Sequence, residues 1–302
     1  NGIMTAGFVA LDLQKATYPE SAYKYLDKLG YKIDVEAEKA QTSLTALADD
    51  INLTFKKRRE AFLHFLTTEP WDLFIAIVTE TDRLHHFLWS AWEEEGHPQH
   101  QFFLDFYRQI DNLIGEIVAA LPSGTDVYML SDHGFTTIKQ EVYLSYWLRQ
   151  EGYLKFEKEP PDSFNDISSS ARAFALDPSR IYIHLEGKYP RGAVKQVDYD
   201  RLREEIKNKL LQLSYNGEKV IRAVYRKEEI YSGPYLDQAP DLVVWSERGY
   251  DLKGSIKKQS LFGRTHFSGA HTRDDAFFLA DKKLDLPDNF NITQIAPLIL
   301  ES

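Results

Sequence analysis

The chain has no cysteine. Disulfides and thiolate-bound metal centres are thereby excluded, so any metal site must be built from nitrogen and oxygen donors. It also lacks an apolar run of roughly 18 to 20 residues, the length a membrane-crossing helix requires, and it carries no signal-peptide pattern. No block of lysine and arginine occurs: 36 basic against 46 acidic residues leave a formal net charge of -10. That balance argues against a nucleic-acid polymer or an anionic membrane as the main partner. A small anionic substrate stays open, because bound dications supply local positive charge. Internal repeats and low-complexity tracts are missing as well.

What is present is ordinary globular material. Of 302 residues, 43% are hydrophobic and 27% charged, enough for a sizeable core. Apolar runs alternate with helical periodicity, which predicts an α/β fold with a mostly parallel sheet covered by helices. Helical patterns run over 37–68, 105–121, 142–151 and 200–213. Leu73-Phe74-Ile75-Ala76-Ile77-Val78 reads as a buried strand, as does Val127-Tyr128-Met129-Leu130. Residues 180–185, 220–225 and 241–245 read as further strands. The polar, serine-rich stretch 156–176 reads as part of an inserted excursion near 140–180, outside the core.

Three segments carry metal-ligand chemistry: Thr81-Asp82-Arg83-Leu84-His85-His86, Ser131-Asp132-His133-Gly134 and Gly269-Ala270-His271-Thr272. The first two follow the predicted strands at 73–78 and 127–130, and ligands collect outside the carboxyl ends of strands in open α/β sheets. Asp82 and His86 are four apart, which places both on one helical face if a helix begins just after the strand ending at Val78. The structural alternative makes Asp82 a helix-dipole partner and His86 a core residue. Asp132 and His133 are adjacent, so both reach one ion only if the backbone turns, which Gly134 permits. The alternative there is a turn-capping Asp132 beside an exposed His133. His271 has a rival in His266, five residues earlier. His85 adjoins His86 but leaves the helix in another direction, so packing suits it better than ligation. Phe87, Leu88, Trp89 and Trp92 are either a buried aromatic face or the wall of a substrate pocket.

Taken in order, Thr-Glu-Thr-Asp-Arg-Leu-His-His-Phe at 79–87, Ser-Asp-His-Gly-Phe at 131–135 and Ser-Gly-Ala-His-Thr-Arg-Asp at 268–274 resemble the alkaline phosphatase superfamily, and within it the type I phosphodiesterase/nucleotide pyrophosphatase group. Residues 175–183 and 239–244 also resemble segments of its prokaryotic members. The resemblance implies a single alkaline-phosphatase-like catalytic domain over 1–302 and two divalent ions, zinc first and manganese second. It places Asp82, His86 and His271 on one ion and Asp132 and His133 on the other. Family members complete the second site with an aspartate on the first strand and a Thr or Ser nucleophile at the following helix start. Neither is found here. Thr5 is the earliest hydroxyl, but residues 1–8 resemble a stretch downstream of the nucleophile, so the catalytic residue is unassigned and the first strand is expected to be missing.

The implied activity is hydrolysis of a phosphodiester or nucleotide pyrophosphate through a covalent intermediate, with paired ions stabilising entering and leaving oxygens. Phosphomutase chemistry, phosphomonoester or phosphonate hydrolysis, and a non-catalytic metal-binding role are the alternatives, because shared ligands do not select a substrate. The expected partner is a small phosphorylated molecule, and the expected location is cytoplasmic.

Overall fold

The structure, a computed structural model, describes residues 2–288 and 290–300; Asn1, part of the segment weighed above, lies outside them. The chain divides into two compact units. One comprises 1–137 and 266–302, and the other, 138–265, is inserted between them. In chain order the first arm contains β1 (Met4–Thr5), α1 (Leu13–Ala16), β2 (Thr17–Tyr18), α2 (Glu20–Leu29), α3 (Leu44–Thr68), α4 (Glu80–Glu93), α5 (His100–Ala120), β3 (Tyr128–Leu130) and β4 (Gly134–Thr137). The inserted unit contains β5 (Gln140–Tyr143), α6 (Leu144–Gln150), β6 (Ala173–Asp177), β7 (Arg180–Ile183), α7 (Tyr199–Leu210), β8 (Ser214–Tyr215), β9 (Glu218–Lys219), β10 (Ile221–Arg226), α8 (Lys227–Ile230), β11 (Leu242–Ser246), β12 (Tyr250–Lys253) and β13 (Phe262–Gly263). The return arm adds β14 (Gly269–Thr272), β15 (Phe278–Ala280) and α9 (Ile295–Leu300).

The first unit is organised by three long helices. In α4, Leu84, Phe87, Leu88 and Ala91 repeat at helical spacing and are all buried, meeting Leu47, Ile51 and Phe55 of α3 and Phe103, Phe106 and Leu113 of α5. The single helix expected over 37–68 is broken. A short 3-10 turn occupies Ala37–Gln41, and Ser43 then caps α3 by accepting a hydrogen bond from the Ala46 N–H at 3.2 Å. At the start of α4, Glu80 is buried and paired to Arg58 of α3, with Nε 2.8 Å from Oε1 and 3.0 Å from Oε2. The same guanidinium donates to the Tyr31 hydroxyl, the Ile33 carbonyl and the Thr79 hydroxyl. This network anchors the first turn of the helix that carries Asp82.

The sheet expectation is corrected. Mixed α/β structure is observed, but among the described strands only the β12–β5 ladder is parallel; β1–β2, β3–β15, β4–β14 and the rest run antiparallel. The run 73–78 has no regular secondary structure and joins no described ladder, and Leu73, Ile75 and Ile77 are 56%, 71% and 64% exposed. An apolar run becomes a buried strand only where a neighbouring strand accepts its ladder, and composition alone does not supply that neighbour.

In the inserted unit, β10-β11-β7-β6 form an antiparallel sheet. Helix α6 packs against β6 and α7 against β10. The excursion expected near 140–180 is corrected too: the insertion runs to 265, and Ile167, Ala171, Ala173, Phe174 and Ala175 lie buried in its core. The helix expected at 142–151 resolves into β5 followed by α6. Asp241 is buried and accepts from the Ile183 N–H at 2.7 Å, the Tyr199 hydroxyl and the Lys227 ammonium, so this family-like segment serves structure.

Candidate metal centre

The first unit holds all five predicted ligands and brings Asp82, His86, His133 and His271 close together. Asp82 and His86 sit one turn apart on α4, Asp132 and His133 fill the bend between β3 and β4, and His271 lies on β14. The His271 Nε2 is 3.0 Å from Asp82 Oδ1; the Nε2 atoms of His86 and His133 stand 3.5 and 3.9 Å from the same oxygen. Asp132 Oδ2 is 3.4 Å from His133 Nε2, on a side chain that is 79% exposed. The tightest group is Asp82, His133 and His271, whose donor atoms all lie within 4.8 Å of one another. It joins His133, assigned above to the second ion, to two residues assigned to the first.

His266, the rival to His271, is directed elsewhere: its ring lies parallel to Phe87, with centroids 5.5 Å apart. Thr5 occupies β1, where it pairs with Thr17 of β2. His85 also takes a packing role. It stacks on Phe103 and Tyr107 and accepts a hydrogen bond from the Tyr107 hydroxyl at 2.5 Å. Burial pushes its pKa down to about 4 and that of Tyr107 up to about 12, so the imidazole is the neutral acceptor and the phenol the donor. Phe87 and Leu88 are core residues, whereas Trp92 is half exposed. Burial alone would raise the Asp82 carboxyl. Burial is the largest single influence, but the His271 hydrogen bond and the charges of His86, His271 and Arg83 together outweigh it and hold the carboxyl below its ordinary range.

Two residues that pattern reading missed build this geometry. Ser268 inserts into the hydrogen-bond ladder of α4: its N–H donates to the His86 carbonyl at 2.8 Å, and its Oγ accepts from the Ser90 N–H at 3.4 Å. The helix therefore departs from helical torsions at Leu88, between those two partners. Gly269 follows, and a Cβ there would stand 2.4 Å from the His85 carbonyl oxygen and 2.9 Å from the Trp89 Cβ. Its missing side chain lets β14 lie directly on α4. The Gly269 carbonyl can then accept a hydrogen bond from His86 Nδ1 at 3.0 Å. Gly134 has a related task rather than the predicted turn: a Cβ there would lie 2.3 Å from Asp275 Cβ, so its bareness serves the β4–β14 approach.

The donor set fits a divalent ion. His86 Nδ1 donates to the Gly269 carbonyl and Nε2 is turned toward Asp82, the arrangement that orients a ligating imidazole. One carboxylate with several imidazoles suits zinc or manganese.

Two structures of phosphonoacetate hydrolase from Sinorhizobium meliloti 1021, one in complex with phosphonoacetate and one with phosphonoformate, are similar to this chain at 15% identity, with TM-scores of 0.48 and 0.47. The alignments cover 87% of this chain and 55% of those chains, so the chain spans about half the length of these relatives. Comparison with curated proteins gave no match. The type I phosphodiesterase / nucleotide pyrophosphatase family matches residues 4–274, a span holding every candidate ligand. The chain belongs to the type I phosphodiesterase / nucleotide pyrophosphatase family.

Proposed function

We propose that this protein hydrolyses a phosphodiester or nucleotide pyrophosphate bond of a small phosphorylated molecule, using divalent ions held by Asp82, His86, Asp132, His133 and His271. The observation that carries the reading is the convergence of Asp82, His133 and His271 within 4.8 Å in a chain of this family. A bound dication would neutralise phosphoryl oxygens and acidify a water, chemistry that asks the protein mainly for positioning. The chain's own part is to keep Asp82 ionised and to hold His86 with its proton at Nδ1, engaged with Gly269. Arg83 does not serve as a free phosphate clamp: its guanidinium is held by Asp34, with Nη2 2.5 Å from Oδ2. Zinc is the first choice of metal and manganese the second.

Metal-stripped protein assayed with bis-nitrophenyl phosphate, nitrophenyl phosphate and phosphonoacetate, before and after adding zinc or manganese, tests this reading. Metal-dependent turnover of the diester is expected, and Asp82→Asn should lower retained metal and turnover together. Preference for the monoester or phosphonoacetate would replace the substrate class. Metal binding without turnover of any of the three would replace catalysis with a binding role.

A further inference from the structure

The candidate ligands surround one aromatic ring. Phe135 is paired opposite His271 in the β4–β14 ladder and lies two residues after His133, so the strand brings its ring to both. Helix α4 approaches the same ring from the other element. The Phe135 centroid is 5.1 Å from that of His86, 5.4 Å from His133, 5.0 Å from His271 and 4.7 Å from His85. The rings of His85, His86 and His271 meet it at 68°, 80° and 82°. These are edge-to-face contacts at the distances aromatic pairs favour.

The terminal torsion of a histidine is broad and nearly two-fold, so an imidazole without a fixed partner swings. His86 has its Nδ1 contact to Gly269, and His133 has a weaker one to the Gly134 carbonyl at 3.2 Å. Among the described contacts, the His271 ring makes one hydrogen bond, to Asp82, a candidate ligand of the same ion. Its other ring neighbours include His133, with centroids 3.6 Å apart, His86 at 4.7 Å and Phe135, the one of these three that is not itself a candidate ligand. We propose that Phe135 is a positioning residue that holds His86, His133 and His271 oriented toward a shared ion, an inference that rests on the metal-centre reading above.

The test is zinc titration by calorimetry and cobalt absorption spectra on the whole chain, in the starting protein and in Phe135→Leu, Phe135→Tyr and Phe103→Leu. Loss of groups that orient ligands typically weakens metal binding about 10- to 100-fold, and Phe135→Leu should fall in that range with an altered cobalt spectrum. Phe135→Tyr keeps the ring and should restore both. Phe103 touches His85 but none of the three candidate ligands among the described ring contacts. Phe103→Leu should therefore lower the melting temperature while leaving zinc affinity in place. If Phe135→Leu does not fold, Phe135→Met takes its place. Unchanged affinity and spectrum in the Phe135 variant, with tight binding in the starting protein, would overturn this inference alone. Absence of binding in the starting protein would overturn the metal centre with it.

Discussion

At the residue scale the site depends as much on missing atoms as on donors. Gly269 carries no chemistry, yet the Cβ it lacks would collide with backbone of α4. Replacing it with alanine cannot be absorbed by a side-chain rotation, because the His85 carbonyl is part of a helix. Overpacking of this kind costs about 1–3 kcal/mol, and here the shift would move His271 away from Asp82. Gly269→Ala is expected to lose stability in denaturant titration and zinc affinity in calorimetry. Gly115→Ala is the control: nothing lies within 4 Å of its Cβ position, and alanine in a helix interior is worth up to about 1 kcal/mol over glycine. A Gly269 variant matching Gly115→Ala in both measurements would refute the close-approach argument.

At the element scale, two buried charge clusters hold the helices that present Asp82. Arg58 of α3 pairs with Glu80 at the first turn of α4, both side chains being almost fully buried. Burial pushes the Glu80 carboxyl above its ordinary value and Arg58 opposes that shift, so the two are interdependent. Removing one partner of a buried pair typically costs about 3–5 kcal/mol, and Arg58→Met should fall there by urea unfolding. It should also weaken zinc binding, since Asp82 is two residues along the same turn; unaltered affinity would detach the pair from the site.

The second cluster ties the 3-10 turn at Ala37–Gln41 to α3. Asp50 accepts from Lys32 and Lys39 at 2.6 Å each and from the Glu36 N–H at 2.8 Å. Burial would raise its carboxyl, but the lysines and the backbone donor together hold it below its ordinary 3.8. A carboxyl lowered in the folded state stabilises the fold above its unfolded pKa and loses that contribution as pH falls through the folded one. Asp50→Asn should therefore cost about 1–3 kcal/mol near neutrality, with the gap to the starting protein closing below about pH 3.8. Denaturant titrations between pH 3 and 7 would measure it, and a gap independent of pH would contradict the assignment.

At the scale of the whole molecule, the two units differ in what they contribute. Every candidate ligand belongs to the first unit, while 138–265 has its own core and its own sheet. The ends of the insertion lie close together: Phe262 of β13 pairs with Val142 of β5, and Thr265 donates to Glu141 at 2.5 Å. The flanking strands are likewise adjacent, with Thr137 paired to Gly269. Compact units with neighbouring ends tolerate excision. Residues 138–265 alone are expected to melt cooperatively by circular dichroism. The remaining chain, closed by a short glycine-serine linker after Thr137, should keep its zinc affinity. A non-cooperative melt of the insertion, or loss of zinc binding from the remainder, would show that the units depend on each other.

The sequence by itself determined the donor chemistry and the family. Without cysteine, carboxylates and imidazoles remained as the strong donors, and the ordered segments around Asp82, Asp132-His133 and His271 were distinctive wherever they lay in space. Helices α5 and α7 were also legible, because a 3.6-residue apolar period is a local property. Tertiary structure decided the rest. Whether 73–78 joins a sheet depends on a neighbour no local pattern encodes, and the strand directions depend on which segments meet. The choice of His271 over His266 followed from the family-like segment 268–274, but the proximity of His133 to Asp82 and His271 comes from the β4–β14 register and the seating of Gly269 and Ser268 on α4. Those are contacts between residues distant in the chain, His271 and Asp82 being 189 positions apart, and only folding makes them neighbours.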